Sequence, residues 1–181
     1  MPIKHKQKTK SIQMMEKNFK DKIARRVIEY YATTPPVQEQ IVHTQAVASY
    51  ARMIASMEGM DERTIELMET AAWLHDIGCP NARRIYGNSL PVNQQTEGEK
   101  LVREWLQDES LLTQKEKEWL AQAVGHHHQR PSAMELHFEP LYDADLIVNL
   151  WEGYYDKKLA NEKYEKLVCT DSGMHLFHLF F

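Results

Sequence analysis

The chain has 181 residues, 43% of them hydrophobic and 27% charged, with a formal net charge of −4. That length and balance suit one globular domain burying about two-thirds of its unfolded surface. The mild negative charge excludes a global pull towards nucleic acid or an anionic membrane. No apolar stretch reaches the roughly 18 residues that a membrane span needs, and no signal-peptide core is evident. Two cysteines far apart in sequence, Cys79 and Cys169, fit free thiols in a reducing cytoplasmic setting.

Seven glycines and the lack of any alternating β-branched run point to an all-α, bundle-like single domain of about six to eight helices. Residues 1–10, with Lys4, Lys6, Lys8 and Lys10, read as a self-repelling, disordered basic tail, and residues 11–181 as the folded domain. The first helix is predicted over Ser11–Tyr31, stopped before Pro35-Pro36. The second covers Val37–Met57 and ends near Gly59. Asp61 N-caps a third, which Gly78 and Pro80 end. A polar loop with Gly87, Asn88 and Pro91 follows.

Thr96-x-x-Glu99 has the capping-box pattern and is expected to open a helix carrying Leu101, Val102, Trp105 and Leu106. Thr113-x-x-Glu116 opens the next, and Gly125 ends it. Pro140 suits the first turn of a helix running to about Tyr155. A last helical region is expected over Asn161–Phe180, with a break near Gly173. The apolar run Leu176–Phe181 is too short to span a membrane and should pack against the domain or a partner subunit.

Polar residues interrupt the apolar stripes of three of these helices. His43 lies four residues before Val47, on the stripe formed by Val47, Tyr50, Ala51 and Ile54. His75 follows the inner face marked by Met68, Ala71 and Ala72. Leu141 and Val148 bracket Asp145 at helical spacing. A lone histidine on such a face is commonly a hydrogen-bonded core residue. A buried carboxylate without a partner, however, costs several kcal/mol or loses its charge, and no arginine sits on the neighbouring stripes. Two imidazoles and two carboxylates around one divalent cation would satisfy all four together.

The order His43, His75-Asp76, Asp145 resembles the signature of the HD superfamily of metal-dependent phosphohydrolases. The flanking text agrees: His43-Thr-Gln-Ala-Val47 resembles the first-motif helix, Ala71-Ala-Trp-Leu-His75-Asp76-Ile-Gly78 the second motif, and Asp143-Ala-Asp145-Leu-Ile-Val-Asn149 the last. The likeness covers about residues 37–151. It implies an all-α fold whose central helices surround a metal held by His43, His75, Asp76 and Asp145, with Asp143 the weaker candidate for the last position. Many members place a further histidine four residues before a glycine in the following helix. Here that glycine would be Gly98, and Gln94 occupies the place. An amide is a poor ligand beside imidazole, so a mononuclear site is expected. Members of the dinuclear type often carry histidines where His126-His127-His128 stands, so His126 or His127 is expected to face the site.

The implied activity is hydrolysis of a phosphomonoester or phosphodiester with a divalent ion (Mn, Fe, Co, Zn, Ni or Mg). Asp76 would bind the metal and orient the nucleophile, and His126 or His127 would protonate the leaving oxygen. Arg83 and Arg84, just past the HD dipeptide, are candidates for the phosphate contact, with Lys100, Arg103 and Arg130 behind them. The expected partner is a small phosphorylated substrate, a nucleotide among the candidates, and a homodimer is compatible with the sequence. Two other classes stay open: a non-catalytic metal-binding or ligand-sensing module, and an HD-type oxidase with two irons.

Overall fold

Eight α-helices, a run of short 3-10 and π-helical turns from Lys157 to Leu167, and no strand are found among the described residues, 19–131 and 135–181, of the computed structural model. In chain order the α-helices are α1 (Phe19–Tyr31), α2 (Val37–Met57), α3 (Glu62–Leu74), α4 (Cys79–Tyr86), α5 (Pro91–Leu106), α6 (Gln114–His126), α7 (Glu139–Glu152) and α8 (Asp171–Phe180). The all-α expectation therefore holds. The basic tail at residues 1–10 and the predicted start of the first helix at Ser11 lie outside the described residues.

The centre of the fold is α2, which packs along both α3 and α7. The sequence stripes are the packed faces: Val47, Ala51 and Ile54 of α2, Met68, Ala71 and Ala72 of α3, and Leu141 and Val148 of α7 are all buried in one hydrophobic cluster. Helix α1 covers α3 with Phe19, Ile23, Val27 and Tyr31. Helices α5 and α6 pack on each other, and α6 leans on α3. Helix α8 closes the far side against α7 and α2. It buries Leu176 and Phe177 and sets the Phe180 ring edge-on to Tyr50 at 5.7 Å. The apolar C-terminal run thus packs against the body of the protein.

Several helix boundaries follow the predicted caps. Asp61 accepts from the backbone N–H groups of Arg63 and Thr64, and Thr113 forms the full capping box with Glu116. Others depart from expectation. Pro80 does not merely end α3; it occupies the first turn of α4, a helix not foreseen, where its missing N–H costs nothing. Pro91 likewise opens α5 five residues before Thr96. Thr96 is an interior residue whose hydroxyl donates to Val92 O at 2.7 Å, and Glu99 pairs with Arg103 instead of closing a box. Helix α7 stops at Glu152, short of Tyr155, because Gly153 turns left-handed at φ +88°. The last break falls before Thr170, the N-cap of α8, and not at Gly173.

Candidate metal centre

Three of the packed helices bring the four expected residues together. His43 lies in the second turn of α2, His75 caps the C-terminus of α3 with Asp76 beside it, and Asp145 lies in the second turn of α7. His43 Nε2 is 3.2 Å from His75 Nε2, and each of these nitrogens is 3.4 Å from Asp145 Oδ1 and 3.6 Å from Asp76 Oδ2. The far sides of both rings are engaged. His75 Nδ1 is 2.7 Å from the carbonyl of Ala72, so it must donate a proton there. His43 Nδ1 is 2.8 Å from a Glu152 carboxylate oxygen and donates likewise. Each ring therefore turns its Nε2 towards the other and towards two carboxylate oxygens, and in the neutral form that nitrogen offers a lone pair to a metal ion. His43, His75 and Asp145 form a group that could hold a metal ion, with Asp76 Oδ2 3.6 Å from both ring nitrogens, and a divalent ion fits this donor chemistry.

A second group adjoins the first. Asp76, His127 and His128 also offer converging ligand atoms. His127 Nδ1 sits 2.7 Å from Val124 O, which leaves Nε2 as a lone pair 3.6 Å from Asp76 Oδ1. Both atoms are buried without a hydrogen-bond partner among the described residues. Asp76 thus turns one oxygen to each group. His128 Nδ1 lies 3.7 Å from Asp145 Oδ2, while its Nε2 meets the amide nitrogen of Gln94. The Gln94 carbonyl in turn accepts from the Cys79 thiol at 2.5 Å. Gln95, with its amide oriented to satisfy both ends, accepts from the backbone N–H groups of His127 and His128.

Two members of the histidine triplet therefore reach the site. His126 does not: its Nδ1 is bonded to Gln122 O, and it belongs to neither group. The single-ion expectation rested on Gln94, and the structure offers a second donor group beside that residue. Asp143 is turned away from the centre. It accepts from the N–H groups of Cys169 and Thr170 and from the Thr170 hydroxyl, tying α7 to the start of α8.

Charge and burial act against each other here. Burial alone would lower the His43 pKa, but hydrogen bonds to Asp145 and Glu152 outweigh it and push the value up to about 10. His75 is raised as well, by Asp76 and Asp145, against its complete burial. Burial would raise Asp76 and Asp145, yet the surrounding imidazoles hold both well below the usual carboxylate range. His128 goes the other way, down to about 4, through burial and the neighbouring His127. Protons on the two imidazoles thus balance the two carboxylates, and a divalent ion bound here would take the place of those protons.

A cleft of about 200 Å³ opens onto the centre, and its lining includes His43, Asp76, Gln94, His128, Arg83 and Tyr154. Asp76, 23% exposed, reaches it. Arg83 lines this cleft and donates to Gln40 and to Pro35 O. Arg84 points into solvent towards Asn81. Lys100 and Arg103 are engaged with Glu97, Glu99 and Glu118, away from the cleft. Sequence reasoning missed Asn149, which donates to Asp145 Oδ1 at 2.8 Å, and Glu152, which orients His43. A signal was present: Asp145, Asn149 and Glu152 recur at steps of four and three, on one face of α7.

The family model for the HD domain matches residues 41–167. No curated protein and no solved structure gives a significant match. With the matched span covering well over half of the chain, and its motif residues converging at one point of an all-helical fold, this chain belongs to the HD-domain family.

Proposed function

We propose that the protein is a metal-dependent phosphohydrolase acting on a small phosphomonoester or phosphodiester. The observation that carries this reading is the meeting of two outward-donating imidazoles, His43 and His75, with the carboxylates of Asp76 and Asp145 at the floor of an open cleft. A divalent ion held by these four would supply positive charge to a phosphoryl oxygen and lower the pKa of a water. His127 and His128, with the second oxygen of Asp76, suit a neighbouring ion.

The chain's own side chains do the positioning. Glu152 and the Ala72 carbonyl hold the two rings in the tautomer that presents Nε2. Asn149 holds Asp145. Arg83, which lines the same cleft and is held by Gln40 and Pro35 O, has the planar fork that matches phosphate oxygens. His128, the triplet member that lines the cleft, has its pKa held down to about 4 and accepts from the Gln94 amide, so it suits a neutral ligand to a second ion and not the proton donor first expected of His126 or His127.

The test is a broad phosphoester panel with protein stripped by chelator and reloaded with Mn, Co, Zn, Fe, Ni or Mg, beside His75→Ala and Asp76→Asn. Activity should vanish on stripping, return with at least one ion, and be lost in both variants together with bound metal. Silence on every substrate with every ion would favour a ligand-sensing module. Two adjoining donor groups, with Asp76 turning one oxygen to each, also favour a second reading, a two-iron oxidase. Oxygen uptake by iron-loaded protein, with no phosphoester hydrolysed, would select it.

A further inference from the structure

Beside the metal cleft lies a larger one of about 500 Å³, lined by Gln38, Glu39, Val42, Trp151, Glu152 and Tyr154. Glu39, Glu152 and Tyr154 tie it to the centre: Glu39 and Tyr154 line both clefts, and Glu152 holds His43. We propose that this second cleft seats the nucleobase of a nucleoside monophosphate whose phosphate lies at the metal centre, a reading that rests on the phosphohydrolase proposal and names its substrate class.

Three observations support it. The first is aromatic surface left open beside a polar site. Trp151 is 54% exposed, Tyr154 67% and Val42 57%. One such residue on a surface means little, but three sharing a cleft wall form a platform for a flat ring. The local chain arranges this: Trp151 lies on the last turn of α7, Gly153 turns left-handed, and Tyr154 N–H then donates back to Asn149 O at 2.9 Å. Tyr154 is thereby carried across to His43, edge-on with ring centres 6.3 Å apart.

The second is the sign of the charge. The larger cleft carries Glu39 and Glu152 and no lysine or arginine, which repels phosphate and accepts from N–H donors such as an exocyclic amino group. The third is the count of cations. Across both clefts Arg83 is the one permanently cationic side chain among the described residues, so beyond the metal centre there is one side-chain contact for a phosphate and none for the tail of a di- or triphosphate. A neutral amino-bearing ring at one end and a single phosphate at the other describe a nucleoside monophosphate such as adenosine monophosphate.

The test separates the base seat from the chemistry. Adenosine, which has no phosphate, is titrated into metal-stripped full-length protein while tryptophan fluorescence is followed. Saturable quenching is expected, lost with Trp151→Phe as the reporter change and weakened about tenfold in affinity with Trp151→Ala by equilibrium dialysis, the effect of removing one stacked aromatic. In metal-loaded protein, Trp151→Ala should lower the ratio of kcat/KM for adenosine monophosphate to that for glycerol phosphate about tenfold. Trp151 is surface-exposed, and an unchanged melting temperature will show that the variant is folded. Hydrolysis of phosphoesters without adenosine binding, or an unchanged ratio, would overturn the base seat and leave the phosphohydrolase standing. Adenosine binding that depends on Trp151, with no phosphoester hydrolysed, would keep the seat and remove the hydrolase.

Discussion

Gly78 follows the His75-Asp76 pair by two residues and is where α4 crosses α5. A Cβ there would stand 2.0 Å from the Gln94 carbonyl oxygen, 2.4 Å from Gly98 N and 2.9 Å from Gly98 Cα. All three atoms are backbone, so Gly78→Ala can reach ordinary contact only if the two helices part by about 1.4 Å. Overpacking costs about 1–3 kcal/mol, and with rigid atoms on every side about 3 is expected. A smaller effect opposes it. Gly78 has φ −74° and ψ −20°, which alanine adopts freely, so a stiffer unfolded chain returns up to about 1 kcal/mol. The net loss of about 2 kcal/mol corresponds to a fall of about 4–8 °C in melting temperature for a chain of this size. Moving Gln94 should also loosen the line Cys79–Gln94–His128. Gly98→Ala is the matched control, because its Cβ meets a Val124 methyl at 2.9 Å and nothing else within 3.5 Å, and a valine side chain can turn. Thermal melts by circular dichroism read both variants. A Gly78→Ala protein melting within 2 °C of wild type, or above Gly98→Ala, would refute the reasoning.

Glu152→Gln removes the charge that orients His43, and such outer partners typically carry a 10–100-fold effect on metal affinity; chelator competition measures it, and wild-type affinity would count against the arrangement. Asp143→Ala strands two backbone N–H groups and the Thr170 hydroxyl, at a cost of about 2–3 kcal/mol. Its melting temperature should fall while metal content, read by elemental analysis, stays at the wild-type level; loss of metal would place Asp143 in the centre after all. Glu116 is held at about 2, chiefly by its bond to the Arg63 guanidinium. A depressed carboxylate stabilises the fold above its unfolded value near 4.5 and loses that contribution as pH falls towards 2. Glu116→Gln should therefore melt slightly lower than wild type at neutral pH, within about 1 kcal/mol for so exposed a pair, and the gap should close in acid; a gap that widens would contradict the sign. Metal per chain in active protein should exceed one if both donor groups are filled, and elemental analysis decides between one and two.

What depends on spacing along one helix was legible without coordinates. The stripes on α2, α3 and α7, the placing of His43, His75 and Asp145 on them, and the caps at Asp61 and Thr113 all follow from contacts within a turn or two, where side-chain direction is set by the backbone. The turning of Asp143 away from its neighbour at Asp145 follows in the same way. The prolines misled because the same missing N–H that stops one helix suits the first turn of the next, and sequence alone did not say which of the two Pro80 would do. Beyond that, the centre was settled by how whole helices approach. Only the docking of α6 against α3 decides that His127 and His128, and not His126, turn inward. Only the packing of α5 on α6 brings Gln94 onto His128, and only the approach of α4 to the start of α2 sets Arg83 against Gln40 and Pro35 in the cleft with Arg84 outside. Those outcomes turn on ångström-scale distances between residues 30 to 110 positions apart, such as His43 and Glu152 with a separation of 109, and no local rule of helix geometry reaches that far.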